Sequence, residues 1–297
     1  MTTAAADWVY LKLYLSAQAE RADALLADLG ARMRANPHLE RWFFIRFLDE
    51  QGFHIRLRAL PKPEEREAAL RRLSGDCSEV LDRIYDYVAS TYQPMVRLPD
   101  YMEAEAPPAT GRVHFVSDAY APEHDKFGNG RGMAIAEGVF HASSEVAQRV
   151  LAAEAAGLYS RKSIAPFLLE AAREAFPSIA AGEFWSQYSL YWLGGDGPAA
   201  QDWRERFLRK GAELGAQGID PIDPAELTEA ARQVVAYWRE GLAAAATAYA
   251  RLPAGERGRA DVLSLNFAHL MMNRIGVATL EESYLAALLE ARERVPA

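Results

Sequence analysis

Arg41 to Leu60, reading RWFFIRFLDEQGFHIRLRAL, sorts its side chains with a period of two, and that restricts what the segment can form. In Gly52 to Leu60 the odd positions Phe53, Ile55 and Leu57 are apolar, while the even positions His54, Arg56 and Arg58 carry an imidazole and two guanidinium groups. One face of such a strand enters a core and the other presents three donors in a row. Guanidinium groups hold carboxylates or phosphates through paired, charge-assisted hydrogen bonds, so the polar face suits an anionic group. The same alternation also describes a half-buried strand whose polar face meets only water.

The basic strand stands against an acidic background, because the chain of 297 residues carries a formal charge of -8. That balance argues against broad nucleic-acid binding, so no direct nucleic-acid contact is expected. The start, MTTAAADWVY, has no basic region followed by an apolar one, and nowhere do 18 apolar residues run together. Neither export nor a membrane location is expected. Cys77 is the single cysteine, which rules out an intrachain disulfide and a cysteine-based zinc site and fits a reducing cytoplasm.

Local signals place the elements. Trp8 to Leu15 reads as a strand, and Ala17 to Ala35 spaces Leu25, Leu26, Leu29 and Met33 as a helix does. Two strands, about Trp42 to Leu48 and Phe53 to Leu60, are joined by Asp49-Glu50-Gln51-Gly52, a composition suited to a hairpin turn. Pro61 and Pro63 end the second strand, and PEEREAALRRL begins a helix. A loop-like stretch from Pro94 to Pro108 precedes one more strand, Arg112 to Ser117. From Met133 onward the pattern is helical, with starts expected at Asp223-Pro224-Ala225-Glu226 and at Thr279-Leu280-Glu281-Glu282 from their cap-then-glutamate spacing. The expected class is α+β, a small mixed or antiparallel N-terminal sheet with flanking helices on one side and a largely helical C-terminal half. No repeat or flexible linker divides the chain, so 1–297 reads as one unit, with a sheet-containing part at 1–118 and a mainly helical part at 119–297.

Three further segments are candidates for chemistry. The loop Asp118 to Gly132, DAYAPEHDKFGNGRG, has glycines that allow close backbone approach to an anion, but it lacks the nucleotide-loop and dinucleotide patterns. His114, Asp118, Glu123, His124 and Asp125 lie close in sequence there but match neither a zinc nor a calcium spacing, and no metal is expected. His269 and Asn273, four apart in SLNFAHLMMNRIG, share one face of an apolar helix. His269 is either a satisfied core histidine or, facing a cleft, the best proton carrier in the chain. The aromatic run Trp185, Tyr188, Tyr191, Trp192 and Trp203 reads as core rather than as a stacking platform.

In order along the chain, these segments resemble the C-terminal domain of class I lantibiotic dehydratases, which also occurs as a stand-alone thiopeptide-type bacteriocin biosynthesis protein. Trp8 to Tyr14 with Trp42 to Arg58 is similar to that family's W-x-x-x-K-x-Y opening and its FFIRY-x-D-x-x-x-H-x-R-L-R run. Tyr120 to Gly128 followed by Ala136 to Ser144 is similar to its Y-x-x-E-x-x-RYGG loop and AE-x-x-F-x-x-DS helix, and His269 to Arg274 to its H-M-x-x-NR.

The resemblance implies a β-eliminase that expels glutamate from glutamylated Ser or Thr in a ribosomally made precursor peptide, leaving dehydroalanine or dehydrobutyrine without a metal or organic cofactor. It also implies a separate glutamyl-tRNA-dependent glutamylation protein as partner. Arg56, Arg58 and His269 take the catalytic roles it implies, and His54, Arg46, Lys126, Tyr120 and Asn273 the substrate-binding ones. At the RYGG position this chain has Lys126-Phe127-Gly128-Asn129, keeping the charge but losing the planar fork and the tyrosine hydroxyl. Two alternatives stay open: a pyridine synthase joining two dehydroalanines in a formal aza-cycloaddition, and a non-catalytic leader-peptide-binding subunit that takes up a strand at a sheet edge.

Overall fold

The structure, a computed structural model, describes residues 7–96, 111–220 and 222–293. It is α+β, as the patterns imply. Strand β1 (Val9–Tyr14) leads through a 3-10 segment into α1 (Ala22–Ala35), so the expected helix turns α-helical only at Ala22. The hairpin β2 (Leu39–Asp49) and β3 (Gly52–Pro61) follows, then α2 (Arg66–Asp82) and β4 (His114–Asp118). Of the expected loop from Pro94 to Pro108, residues 97–108 lie outside the described residues. After the short α3 (His124–Phe127) come α4 (Arg131–Ala155), α5 (Arg161–Ala175), α6 (Ala181–Trp192) and α7 (Pro198–Ala216). The last helices are α8 (Glu229–Ala250), α9 (Ala260–Ile275) and α10 (Thr279–Glu293). Among the described residues no helix is long and apolar enough to cross a membrane.

The four strands pair antiparallel in the order β2-β3-β1-β4. Asp49 pairs with Gly52, so Glu50 and Gln51 form a two-residue turn, and Gly52 supplies its positive φ of 113°. That register assigns the faces. Val9, Leu11, Leu13, Phe44, Ile55 and Leu57 share the core face, where α1 comes so close that a Cβ on Gly30 would lie 3.3 Å from the Trp42 ring. Burying each such large side chain contributes about 1.5–3 kcal/mol. The opposite face carries Tyr10, Lys12 and Tyr14 beside Arg58, Arg56 and His54, with Phe43, Ile45 and Phe47 beyond them. The loop before α3 and helices α4 and α9 close over part of this second face.

The outer edge of β2 is sealed by helix side chains instead of a fifth strand. The Phe44 N–H donates to Ser144 Oγ at 3.2 Å, and His141 Nδ1 lies 2.9 Å from the Trp42 carbonyl. Asn273 binds the Arg46 backbone twice, accepting its N–H and donating to its carbonyl, each at 2.9 Å. These contacts satisfy an edge that would otherwise invite a foreign strand, and they tie α4 and α9 to the sheet.

A buried ionic cluster reinforces that junction. Asp23 on α1 accepts from Arg46 Nη2 and Arg161 Nη2, both at 2.6 Å, and from Ser90 Oγ at 2.6 Å. Burial alone would raise the Asp23 carboxyl, but Arg46 and Arg161 hold it well below the usual carboxylate range. A depressed folded-state pKa adds stability above the unfolded value near 3.9, and that stability is lost as pH falls through the folded value. Asp23→Asn should therefore cost about 3 kcal/mol at neutral pH, by removing the carboxylate paired with the buried Arg46 and one of the two paired with Arg161, which keeps Glu154. Urea titrations from pH 7 down to pH 3 should show the gap from the parent narrowing as the pH drops, and a constant gap would contradict the electrostatic origin.

Of the two expected helix starts, the one at Asp223 is corrected, and the one at Thr279 holds with a different capping glutamate. Asp223 caps only a single 3-10 turn, Pro224–Glu226, and α8 begins at Glu229 behind Thr228, whose hydroxyl accepts from the Ala231 N–H at 3.2 Å. At α10 the reciprocal glutamate is Glu281, which accepts from the Ala278 N–H at 3.1 Å, so Glu282 is left for another use.

Candidate active site

Where the second sheet face meets α4, α9 and the loop before α3, a cleft of about 360 Å³ opens. Arg56 and Arg58 from β3, Tyr120 and Glu123 from the loop, Lys126 from α3, and His269 and Arg274 from α9 all line it. Residues more than two hundred positions apart are thus brought to one place.

Each arginine is held by rings rather than by an acid. The Arg56 guanidinium lies 3.2 Å from the Phe47 ring centroid, and its Nε donates to His54 Nε2 at 3.2 Å. His54 itself is fully buried (0% exposed) between Tyr14 and Phe47 and does not line the cleft. Burial lowers its pKa and keeps it neutral, so it serves as the acceptor that orients Arg56. The Arg58 guanidinium lies 4.5 Å from the Tyr10 ring and 5.5 Å from those of Phe43 and Tyr120, and its buried Nε has no hydrogen-bond partner among the described residues. Neither arginine forms an ion pair among the described residues. Burial pushes the Arg58 pKa down, because desolvation disfavours the charged guanidinium.

Arg274 was not among the candidates, although it ends the run that contains His269 and Asn273. It is 1% exposed, donates to Ser144 Oγ at 3.2 Å and to the Leu270 carbonyl at 3.0 Å, and is pushed down to about 9, first by burial and then by Arg58. Its neighbours are thus neutral acceptors and another cation. Two other expectations lead elsewhere. The Arg46 guanidinium is spent on Asp23 and on the Arg274 carbonyl at 3.2 Å, and the Asn273 amide on the β2 backbone. Both residues border the cleft while their polar groups brace its wall.

The loop and α3 supply the opposite wall. Lys126 pairs with Glu123, and Tyr120 hydrogen-bonds Glu137, with burial foremost in raising the tyrosine pKa. The expectation that the loop glycines approach an anion gives way to packing. At Gly128, where φ is +86°, a Cβ would fall 2.2 Å from the Glu256 carbonyl oxygen, and at Gly132 one would fall 2.0 Å from the same atom. Gly128→Ala should therefore cost about 3 kcal/mol through strain and clash. A chemical-denaturation midpoint unchanged from the parent would refute that reading.

His269 faces the cleft from α9. Its Nδ1 lies 3.0 and 3.3 Å from the two carboxylate oxygens of Glu282, and its ring stacks on Trp192 with centroids 3.9 Å apart. Glu282 is fully buried (0% exposed) and also accepts from the Tyr188 hydroxyl at 2.5 Å. The aromatic run of α6 is therefore partly core, at Trp185 and Tyr188, and partly the bed of His269, at Trp192. The residues that would suggest a metal are dispersed: Asp118 pairs with Lys12, His114 stacks on Tyr14, and His124 Nδ1 lies 3.3 Å from the Gly128 carbonyl. No group of three or more potential ligands occurs among the described residues.

A family model described as the lantibiotic biosynthesis dehydratase C-terminus matches residues 8–292. The chain belongs to this family. Among solved structures it is similar to the tRNA-dependent lantibiotic dehydratase MibB from Microbispora sp. 107891, at 20% identity and a TM-score of 0.62, covering 99% of this chain but 29% of MibB. It is also similar to TbtD, the pyridine synthase from thiomuracin biosynthesis, at 17% identity and a TM-score of 0.63, covering 96% and 97% of the two chains. TsrL matches at 17% identity and a TM-score of 0.55, over 96% of this chain and 93% of that one. No curated protein matches the chain. At these identities the structural likenesses speak for the fold alone, and the site must carry the functional argument.

Proposed function

We propose that the chain is the elimination component of a split dehydratase, expelling glutamate from glutamylated Ser or Thr in a ribosomally made precursor peptide. The observation that carries this reading is the pairing, across one small cleft, of arginines lacking a carboxylate partner among the described residues with a histidine held by a buried glutamate. Elimination needs both parts. A proton leaves Cα, its electron pair forms the Cα–Cβ double bond, and the Cβ–O bond breaks to release glutamate as a carboxylate. Arg56 and Arg58 are suited to hold carboxylate oxygens and to offset the charge that develops as the bond breaks. His269 is suited to carry the proton through Nε2, since Nδ1 is engaged by Glu282. The glutamylating partner supplies the ester and makes the contact with tRNA.

A second reading, pyridine synthesis, is favoured by lysine and phenylalanine at positions 126 and 127, where the dehydratase pattern has arginine and tyrosine. One assay separates the two. The purified chain is incubated with a peptide glutamylated at one serine and, separately, with a linear peptide holding two dehydroalanines, and both are followed by mass spectrometry. Release of glutamate with dehydroalanine in the first tube supports elimination. A ring-closed product in the second, with the ester intact in the first, replaces that reading by the synthase. Inertness in both tubes, with the peptide retained by the protein, leaves leader binding, for which β4 offers the sheet edge opposite the sealed one.

A further inference from the structure

Glu282 and Tyr188 lie outside the cleft lining, yet they bear on its histidine. They come from α10 and α6, a helix pair whose register is pinned by two reciprocal bonds. Ser189 Oγ donates to the Ser283 carbonyl at 3.1 Å, and Ser283 Oγ donates to the Ser189 carbonyl at 2.8 Å. With Glu281 occupied at the helix start and by the Tyr92 hydroxyl at 2.7 Å, Glu282 is committed to a dry position beneath His269. A carboxylate there is costly unless charged or strong donors meet it, and the groups in reach are His269 Nδ1 and the Tyr188 hydroxyl. Burial raises the Glu282 pKa even against both hydrogen bonds.

We infer that Glu282 is a positioning residue: with Tyr188 it fixes His269 as the Nδ1–H tautomer, with the ring flat on Trp192 and the Nε2 lone pair directed at the cleft. The arrangement follows a general rule, in which a buried acid sets the tautomer of a proton-carrying histidine and stabilises its imidazolium form. This inference rests on the proposal that His269 moves the proton, but it makes a claim about the ring that holds with or without turnover. The charged and titratable groups around the ring are Glu282 from α10 and Tyr188 from α6 behind it, with Arg56 and Arg58 of β3, Glu123 of the loop, Lys126 of α3 and Arg274 of α9 lining the same cleft.

The test combines nitrogen NMR of labelled histidine with steady-state kinetics on glutamylated peptide. In the parent, the neutral His269 ring should carry its proton on Nδ1, and observation of the Nε2–H tautomer would overturn the inference without any variant. In Glu282→Gln the side-chain amide can donate to Nδ1, so the tautomer should switch to Nε2–H and the imidazole should titrate at lower pH. The kcat should fall at least about tenfold with KM little changed, and the rate profile should shift to lower pH with the imidazole. Tyr188→Phe keeps the carboxylate, so the Nδ1–H form should persist with a smaller loss in kcat. A folded Glu282→Gln protein with the parent tautomer and titration would refute the positioning role. If the parent eliminates nothing while the tautomer switches as stated, the proposed function fails and the positioning role stands.

Discussion

His269→Gln should fold with the melting temperature of the parent and eliminate glutamate at least about 10²-fold more slowly. Glutamine retains much of the volume, its planar amide can lie against Trp192, and its NH₂ group can donate to Glu282 in place of Nδ1–H. Only the titrating nitrogen is lost. Single-turnover elimination measured beside thermal unfolding separates chemistry from packing, with substrate affinity expected to change little. A stable and fully active glutamine variant would make His269 a core histidine that happens to border a cleft.

Arg58→Met should move stability and activity in opposite directions. Methionine can occupy much of the space among Tyr10, Phe43 and Tyr120 and removes a guanidinium that is 9% exposed, with a buried Nε that has no partner among the described residues. The cost of that desolvated cation disappears, so the melting temperature should hold or rise. Elimination should fall about 10²-fold or more, since a charge-stabilising donor is gone, while the partner still glutamylates the peptide and the ester accumulates. Loss of stability together with activity would identify Arg58 as a structural cation instead. Arg56→Ala should give the same accumulation without the gain in stability, because its guanidinium is already satisfied by Phe47 and His54.

Several of these relations were within reach of the sequence. Counting back from the two-residue turn pairs Arg46 with Ile55, which puts its side chain on the apolar face, away from Arg56 and Arg58. The resemblance drew attention to Arg46, whereas the alternation already assigned it elsewhere. His54 was correctly placed on the arginine face, but its enclosure depends on Tyr14 of β1 lying beside β3, a strand order that no local pattern encodes. Glu282 was visible as half of a Glu-Glu pair at a helix start. Capping consumes one glutamate, and which of the two it consumes is decided by the first turn of α10 and by what stands behind it.

The sequence by itself determined the class, the hairpin with its arginine face, the helical C-terminal half, and the resemblance that the family match bears out. Such features follow from side-chain period, turn residues and caps, which act over a few residues and survive in any fold that contains them. Tertiary structure alone decided that Arg274 joins His269 over β3, that Asn273 and Arg46 brace the wall, and that Gly128 and Gly132 make room for the Glu256 backbone. Those outcomes depend on which surfaces bury each other. Partners there are separated by up to 228 residues, and desolvation, not local preference, sets which polar groups must meet.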